Sequence, residues 1–170
     1  MQTWTRRFAT GITAAALAIP FTTLLAPSAQ ADVLDEAVDC AVLNGVSCVH
    51  VQDARTWAED VTMWKFGNRN HHNNMGDAFR HCAWIGSLTT RIGQQDAYRV
   101  GFVHEEYDTD QPTAERAMDE WNNFVGAGIG AAAVESGVRD QWGYILKECE
   151  SRARNYTLYG LDGVQGGYAR

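Results

Sequence analysis

The chain has 170 residues, 45% hydrophobic and 21% charged, with a formal net charge of −7. That composition belongs to a folded globular domain and excludes disordered and collagen-like chains. An acidic body also repels phosphate backbones at long range, which excludes a basic-patch nucleic-acid binder; nucleic acid could be a substrate only if a bound cation supplied positive charge.

Residues 1–31 read as a secretory signal peptide. Arg6 and Arg7 form a short basic region, an apolar run extends from Gly11 to Leu25, and Ala29-Gln30-Ala31 is a small-x-small cleavage site after Pro27. Cleavage leaves 12 cationic against 21 acidic residues, a net charge of −9 over residues 32–170. No second candidate span follows, so the expected location is secreted, with no integral membrane span after cleavage. Cys40, Cys48, Cys82 and Cys149 all lie beyond the leader. An oxidising compartment permits disulfides, and four cysteines allow three pairings. Asn44-Gly45 is a turn signal between the first two, so a local Cys40–Cys48 bridge is plausible and would leave Cys82 with Cys149. No C-x-x-C pair supports a cysteine zinc site or a thioredoxin-type motif.

Asp32 can cap a helix from Val33 to about Leu43, ended by Asn44-Gly45. The segment from His50 to Phe66 places Val51, Ala54, Trp57, Ala58, Val61 and Trp64 at the spacings of an amphipathic helix. Residues 67–74 are strongly polar and predict a loop. Helices are then predicted from Met75 to Ile92, stopped by Gly93, and from Gln94 to about Tyr107. After the acidic loop from Asp108 to Pro112, Thr113 is a reasonable cap for a long helix to about Glu135. Ser136-Gly137 breaks it, and a last helix runs from Val138 to about Ala153. Alternating strand patterns are nearly absent. The predicted fold is all-α: one compact, disulfide-bridged bundle of five to six helices over residues 32–155, followed by a Gly/Tyr-rich tail, 156–170.

Three of these helices carry polar residues where core positions are expected. Asp77, His81, Trp84 and Leu88 form one continuous helical stripe. A carboxylate and an imidazole one turn apart can chelate one cation, or the first can orient the second as a base. An ordinary helix-start pair gives the same spacing, with Asp77 suited to the dipole. Gly101, Val100 and Ala97 lie three, four and seven residues before His104, which puts His104 on their apolar face as a core or site histidine, with Glu105 beside it. Asp119 aligns with Asn122 and Asn123, and adjacent asparagines are poor mid-helix residues unless their amides bond something specific. Gly126, Gly128, Gly130 and the following alanines make a small-residue face that admits a close neighbour helix. If the three polar stripes converge, they form one bundle-core site.

These segments resemble a family of secreted bacterial helical domains of unknown function. The signature is D-A-F/Y-R-H-x-x-W, then H-E, then M-D-x-x-N-N-x-x-G, and it stands here as Asp77 to Trp84, His104-Glu105 and Met118 to Gly126. The resemblance covers roughly residues 70 to 130 and implies a helical exported domain marked by Asp77, Arg80, His81, His104, Glu105, Asp119 and Asn123. It names no reaction. The chain also loosely resembles small secreted bacterial phospholipases A2, which set a helix-borne histidine against an aspartate from another helix. His81 and Asp119 would take those parts, although Cys82 follows His81 where that family has an aspartate.

The expected function is a secreted hydrolase acting on a phosphoester, phospholipid or cell-envelope substrate. In its metal form Asp77, His81, His104 and Asp119 hold one divalent cation, zinc or calcium, that activates water. Glu105 is the base, and Arg80 or Asn123 stabilises developing negative charge. In a metal-free form His81 is the base and Asp119 orients it. The alternative is a non-catalytic exported domain whose polar residues form a buried hydrogen-bond network, with tryptophans and tyrosines serving as a glycan- or protein-binding surface.

Overall fold

The computed structural model describes residues 48–67, 71–107 and 111–161. The expected signal peptide, the Val33–Leu43 helix, Cys40, Asp108 to Asp110 and the end of the tail lie outside them. The described residues form five helices and no strand: α1 (Cys48–Phe66), α2 (Met75–Ile92), α3 (Gln94–Tyr107), α4 (Thr113–Glu135) and α5 (Gln141–Arg154). The fold is all-α, as the periodicities predict.

α2 is the central helix and packs against all four others. From Met75 to Thr89 only Arg80 escapes burial. A helix enclosed on all sides must satisfy its polar groups locally, and Ser87 and Thr89 do so by donating to the carbonyls of Trp84 and Ile85. Its start is fixed by Asn74, whose side chain accepts from the amides of Gly76 and Asp77. Its end is Gly93, at φ 87°, the single residue between α2 and α3. That left-handed conformation is open to glycine without strain.

α4 crosses α2 at backbone contact. A Cβ on Gly126 would meet the carbonyl of Cys82, and one on Gly130 would meet the carbonyl of Gly86. Gly128, the third glycine of the predicted small-residue face, is exposed with nothing nearby. Of the three glycines on α4, only Gly126 and Gly130 make the close approach; on α2, a Cβ on Gly86 would sit 3.1 Å from the Gly126 carbonyl oxygen.

Three helix starts differ from expectation, the first being α1, which begins at Cys48, two residues before His50. The carbonyl of Pro112 already accepts from the amides of Glu115 and Arg116, so Pro112 is the N-cap and Thr113 lies within the first turn. The last helix starts at Gln141 rather than Val138, because Asp140 caps it by accepting from the Gly143 amide.

Cys82 and Cys149 form a disulfide between α2 and α5 across 67 residues of sequence. In the chain-entropy account a loop of that size stabilises by about 4 kcal/mol. Cys48 is also disulfide-bonded, and the expected pairing with Cys40 rests on a residue outside the described set. Lys65 of α1 and Arg154 of α5 both pair with Glu150, at 2.7 and 2.8 Å. The start of the tail is docked: Leu158 is fully buried and the Leu161 amide donates to the Asn73 carbonyl at 2.6 Å. Among the described residues no helix is long and apolar enough to cross a membrane.

Candidate functional site

The α2–α4 contact determines what α4 presents to α2. Asp119 and Asn123 lie two turns and one turn before Gly126, so the close crossing presses both against His81. His81 Nε2 lies 3.3 Å from Asp119 Oδ1 and 3.7 Å from Asp77 Oδ1. On the other side of the ring, Nδ1 lies 3.2 Å from Asn123 Oδ1 and 3.5 Å from Glu105 Oε1. Asp77, His81, Glu105 and Asp119 are each at most 5% exposed, and Asn123 is fully buried.

The network assigns the protons. Asn123 Nδ2 donates to Glu105 Oε1 at 3.1 Å, which turns Asn123 Oδ1 toward His81. His81 Nδ1 must then be the donor, and the Nε2 lone pair faces the two aspartates. Gly101 makes room for this amide, since a Cβ there would sit 3.0 Å from Asn123 Nδ2. Asp77 is held at both oxygens: Arg80 donates to Oδ1 at 2.6 Å, and the Asn73 backbone amide donates to Oδ2 at 2.7 Å. Asn73 does so from a left-handed conformation, φ 63°, while its side chain donates to Glu115 Oε2 at 2.9 Å. Asp119 Oδ2 accepts from Gln111 Nε2 at 2.8 Å, and the same nitrogen lies 3.2 Å from Glu105 Oε2. Asp119 Oδ1, buried, has no hydrogen-bond partner among the described residues.

Burial dominates the electrostatics. It raises the Asp119 carboxyl to about 9, with the charges of Glu105 and Asp77 adding to it. Burial raises Glu105 to about 7 against the opposing hydrogen bonds from Gln111 and Asn123. It also raises Asp77, although Arg80 and the Asn73 amide pull the other way. His81 is driven well below its ordinary value, first by burial and then by the charge of Arg80. The imidazole is therefore neutral and free to act as a ligand through Nε2.

Of the residues that the sequence singles out, Asp77, His81, Glu105, Asp119 and Asn123 meet in one centre, with Arg80 at its edge. Among the described residues, Asp77, His81 and Asp119 are the set whose ligand atoms all lie within 4.8 Å of one another. His104 stands outside that set: it is half-buried, with its ring edge-on to Trp84 at 5.1 Å between centroids. On α3 the buried position is Glu105 instead. Asn122 serves the fold, exchanging two hydrogen bonds with the backbone of Tyr159 at 2.9 and 3.0 Å. Sequence reasoning missed Gln111 and the Asn73 amide. Gln111 gives no signal, being one polar residue in an acidic loop, and a backbone donor has no sequence signature at all.

These features define a class: an all-α domain with a buried carboxylate–histidine centre between two helices in backbone contact. Residues 39–154 match the family described as a domain of unknown function (DUF6973), and the chain belongs to that family. No solved structure matches it.

Proposed function

We propose that Asp77, His81 and Asp119 hold one divalent cation, and that the domain is a secreted hydrolase using it on a phosphoester, phospholipid or cell-envelope substrate. One observation carries this reading. Three ligand atoms from α2 and α4 converge, while the atom of each side chain that faces away is engaged by a separate donor or acceptor: Asn73 on Asp77, Asn123 on His81, Gln111 on Asp119. Outer partners of this kind fix the tautomer and orientation of metal ligands. Charge points the same way. Without a cation, burial drives Glu105 and Asp119 toward their neutral acids; once Asp77, Glu105 and Asp119 ionise against the paired Arg80, two negative charges remain beside a neutral imidazole, the amount one dication would offset.

The donor set selects the metal. One imidazole nitrogen with two carboxylates suits zinc or a neighbouring transition dication, whereas calcium takes six to eight oxygens. Three protein ligands leave a position for water, which the cation would bring to hydroxide near neutral pH. Glu105, within reach of Asp119 through their shared Gln111 donor, is the proton acceptor. Both amide atoms of Asn123 are committed, so Arg80, with its side chain 40% exposed, is the donor for negative charge developing on substrate. The phospholipase-like form has less support: Nδ1 is committed to the Asn123 amide and Nε2 faces two aspartates at 3.3 and 3.7 Å, so a water for His81 to activate would have to enter between Nε2 and those carboxyls. Export is supported by the Cys82–Cys149 bridge, which needs an oxidising compartment.

The non-catalytic reading draws support from the depth of the centre and from a surface cleft of about 320 Å³ lined by Tyr98, Ala117, Glu120, Trp121 and Phe124, which suits a binding partner. Hydrolysis of a phosphodiester, phospholipid vesicles and peptidoglycan, assayed with EDTA and with Zn²⁺ restored, separates the two. The hydrolase reading requires turnover of one of these that EDTA abolishes, Zn²⁺ restores and His81→Ala removes. No turnover of any of the three by the Zn²⁺-loaded protein contradicts it.

A further inference from the structure

The loop before α4 contributes a group to the centre. Gln111 sits immediately before Pro112, the N-cap of α4, so its backbone is confined to extended conformations by the following ring. Its side chain reaches inward. Nε2 donates to Asp119 Oδ2 at 2.8 Å and lies 3.2 Å from Glu105 Oε2, an arrangement that orients the amide, since only the NH₂ end can face two carboxyl groups as donor. Oε1 is therefore turned away from those oxygens, yet it is buried and has no hydrogen-bond partner among the described residues. Amide geometry places Oε1 about 2.2 Å from Nε2, and hence within about 5 Å of Asp119 Oδ2.

Two buried oxygens without a hydrogen-bond partner among the described residues thus lie on neighbouring side chains, Gln111 Oε1 and Asp119 Oδ1. A buried polar atom left unmet keeps its desolvation penalty with nothing to offset it. One species relieves both: a cation bound to Asp119 Oδ1, carrying a water that donates to Gln111 Oε1. We infer that Gln111 is a positioning residue of the cation centre, holding Asp119 by Nε2 so that Oδ1 faces the ion and orienting the ion's water by Oε1. This rests on the cation site proposed above. It adds that the α3–α4 loop, through one carboxamide, sets both the ligand geometry and the direction of the nucleophile.

The test is Zn²⁺ titration of the purified protein by calorimetry against a competing chelator, with the visible spectrum of the Co²⁺-loaded form as a second readout. Gln111→Met keeps the length of the side chain and removes both polar atoms; Gln111→Ala is the second variant. Asn122→Ala serves as the control for a purely structural residue. The expected result is one Zn²⁺ per chain in the wild type, affinity about 10–100-fold weaker in both Gln111 variants, a Co²⁺ spectrum altered in shape, and unchanged affinity in Asn122→Ala. Gln111 variants that bind Zn²⁺ within twofold of the wild type, with the same Co²⁺ spectrum, overturn the role of Gln111 and leave the cation site standing. A wild-type protein that takes up neither ion overturns the site and this inference together.

Discussion

Asn122 and Asn123 are adjacent on α4, both fully buried, and serve different ends. Asn122 ties the tail to α4 through Tyr159, whereas Asn123 holds the His81 ring and Glu105. Asn122→Ala leaves a backbone amide and carbonyl without their partner, so it is expected to destabilise the protein by about 1–3 kcal/mol with Zn²⁺ affinity unchanged. Asn123→Ala is expected to lower Zn²⁺ affinity about 10–100-fold, because His81 Nδ1 loses the acceptor that fixes its tautomer. Urea unfolding and Zn²⁺ titration of both variants check the pair; equal effects of the two on affinity would contradict the division of labour. The sequence signals that this pair is unusual, since asparagines mid-helix need specific partners. Which asparagine faces the centre is not legible there, because neighbours on a helix differ by about 100° in direction and only the α2–α4 contact sets which one points at His81.

Most elements were legible. The apolar spacings locate α1 through α5 to within three residues at each end. At the starts of α4 and α5 a local cap decides: the Pro112 carbonyl captures two amides before Thr113 can act, and Asp140 caps the last helix. The small-residue face is legible as a pattern, but the role of each glycine is not, because pattern carries no information on which side the neighbour lies. The structure separates them, and a paired substitution tests the result. Gly128→Ala, with open space around it, is expected to stabilise α4 by up to about 1 kcal/mol through helix propensity. Gly130→Ala gains the same propensity but drives a Cβ into the Gly86 carbonyl and Thr89, and backbone cannot step aside, so a net destabilisation of about 1–3 kcal/mol is expected. Melting temperatures moving in opposite directions support the backbone contact, and a stabilised Gly130→Ala contradicts it.

At the scale of the whole molecule, the centre makes stability depend on pH in an unusual direction. A carboxyl whose folded value is raised binds more protons folded than unfolded, so its contribution is complete below the unfolded value near 4 and is lost as pH climbs toward the folded value. Glu105 and Asp119 are raised to about 7 and about 9. His81 is lowered, so its effect is confined to pH below about 6.5, where the unfolded chain gains the proton. Asp77 is raised as well and acts in the same direction, so between pH 6.5 and 9 the raised acids set a falling slope, and the EDTA-treated protein is expected to become less stable across that range in urea. Zn²⁺ should reverse the loss at pH 8.5, since a cation favours the ionised carboxylates. Stability of the metal-free protein that is flat or rising over this window would contradict the assignment of buried, uncompensated acids. Nothing in the sequence gives this property, because it arises only when stripes on three helices meet around one imidazole.

The central claim is that Asp77, His81 and Asp119 hold one dication. Elemental analysis of the purified protein after exposure to Zn²⁺ and extensive dialysis tests it most directly, beside His81→Ala and a Gln94→Ala surface control. One metal per chain in the wild type and in Gln94→Ala, absent from a folded His81→Ala, is the result predicted. No bound metal in the wild type, or a full equivalent retained by His81→Ala, would contradict the account.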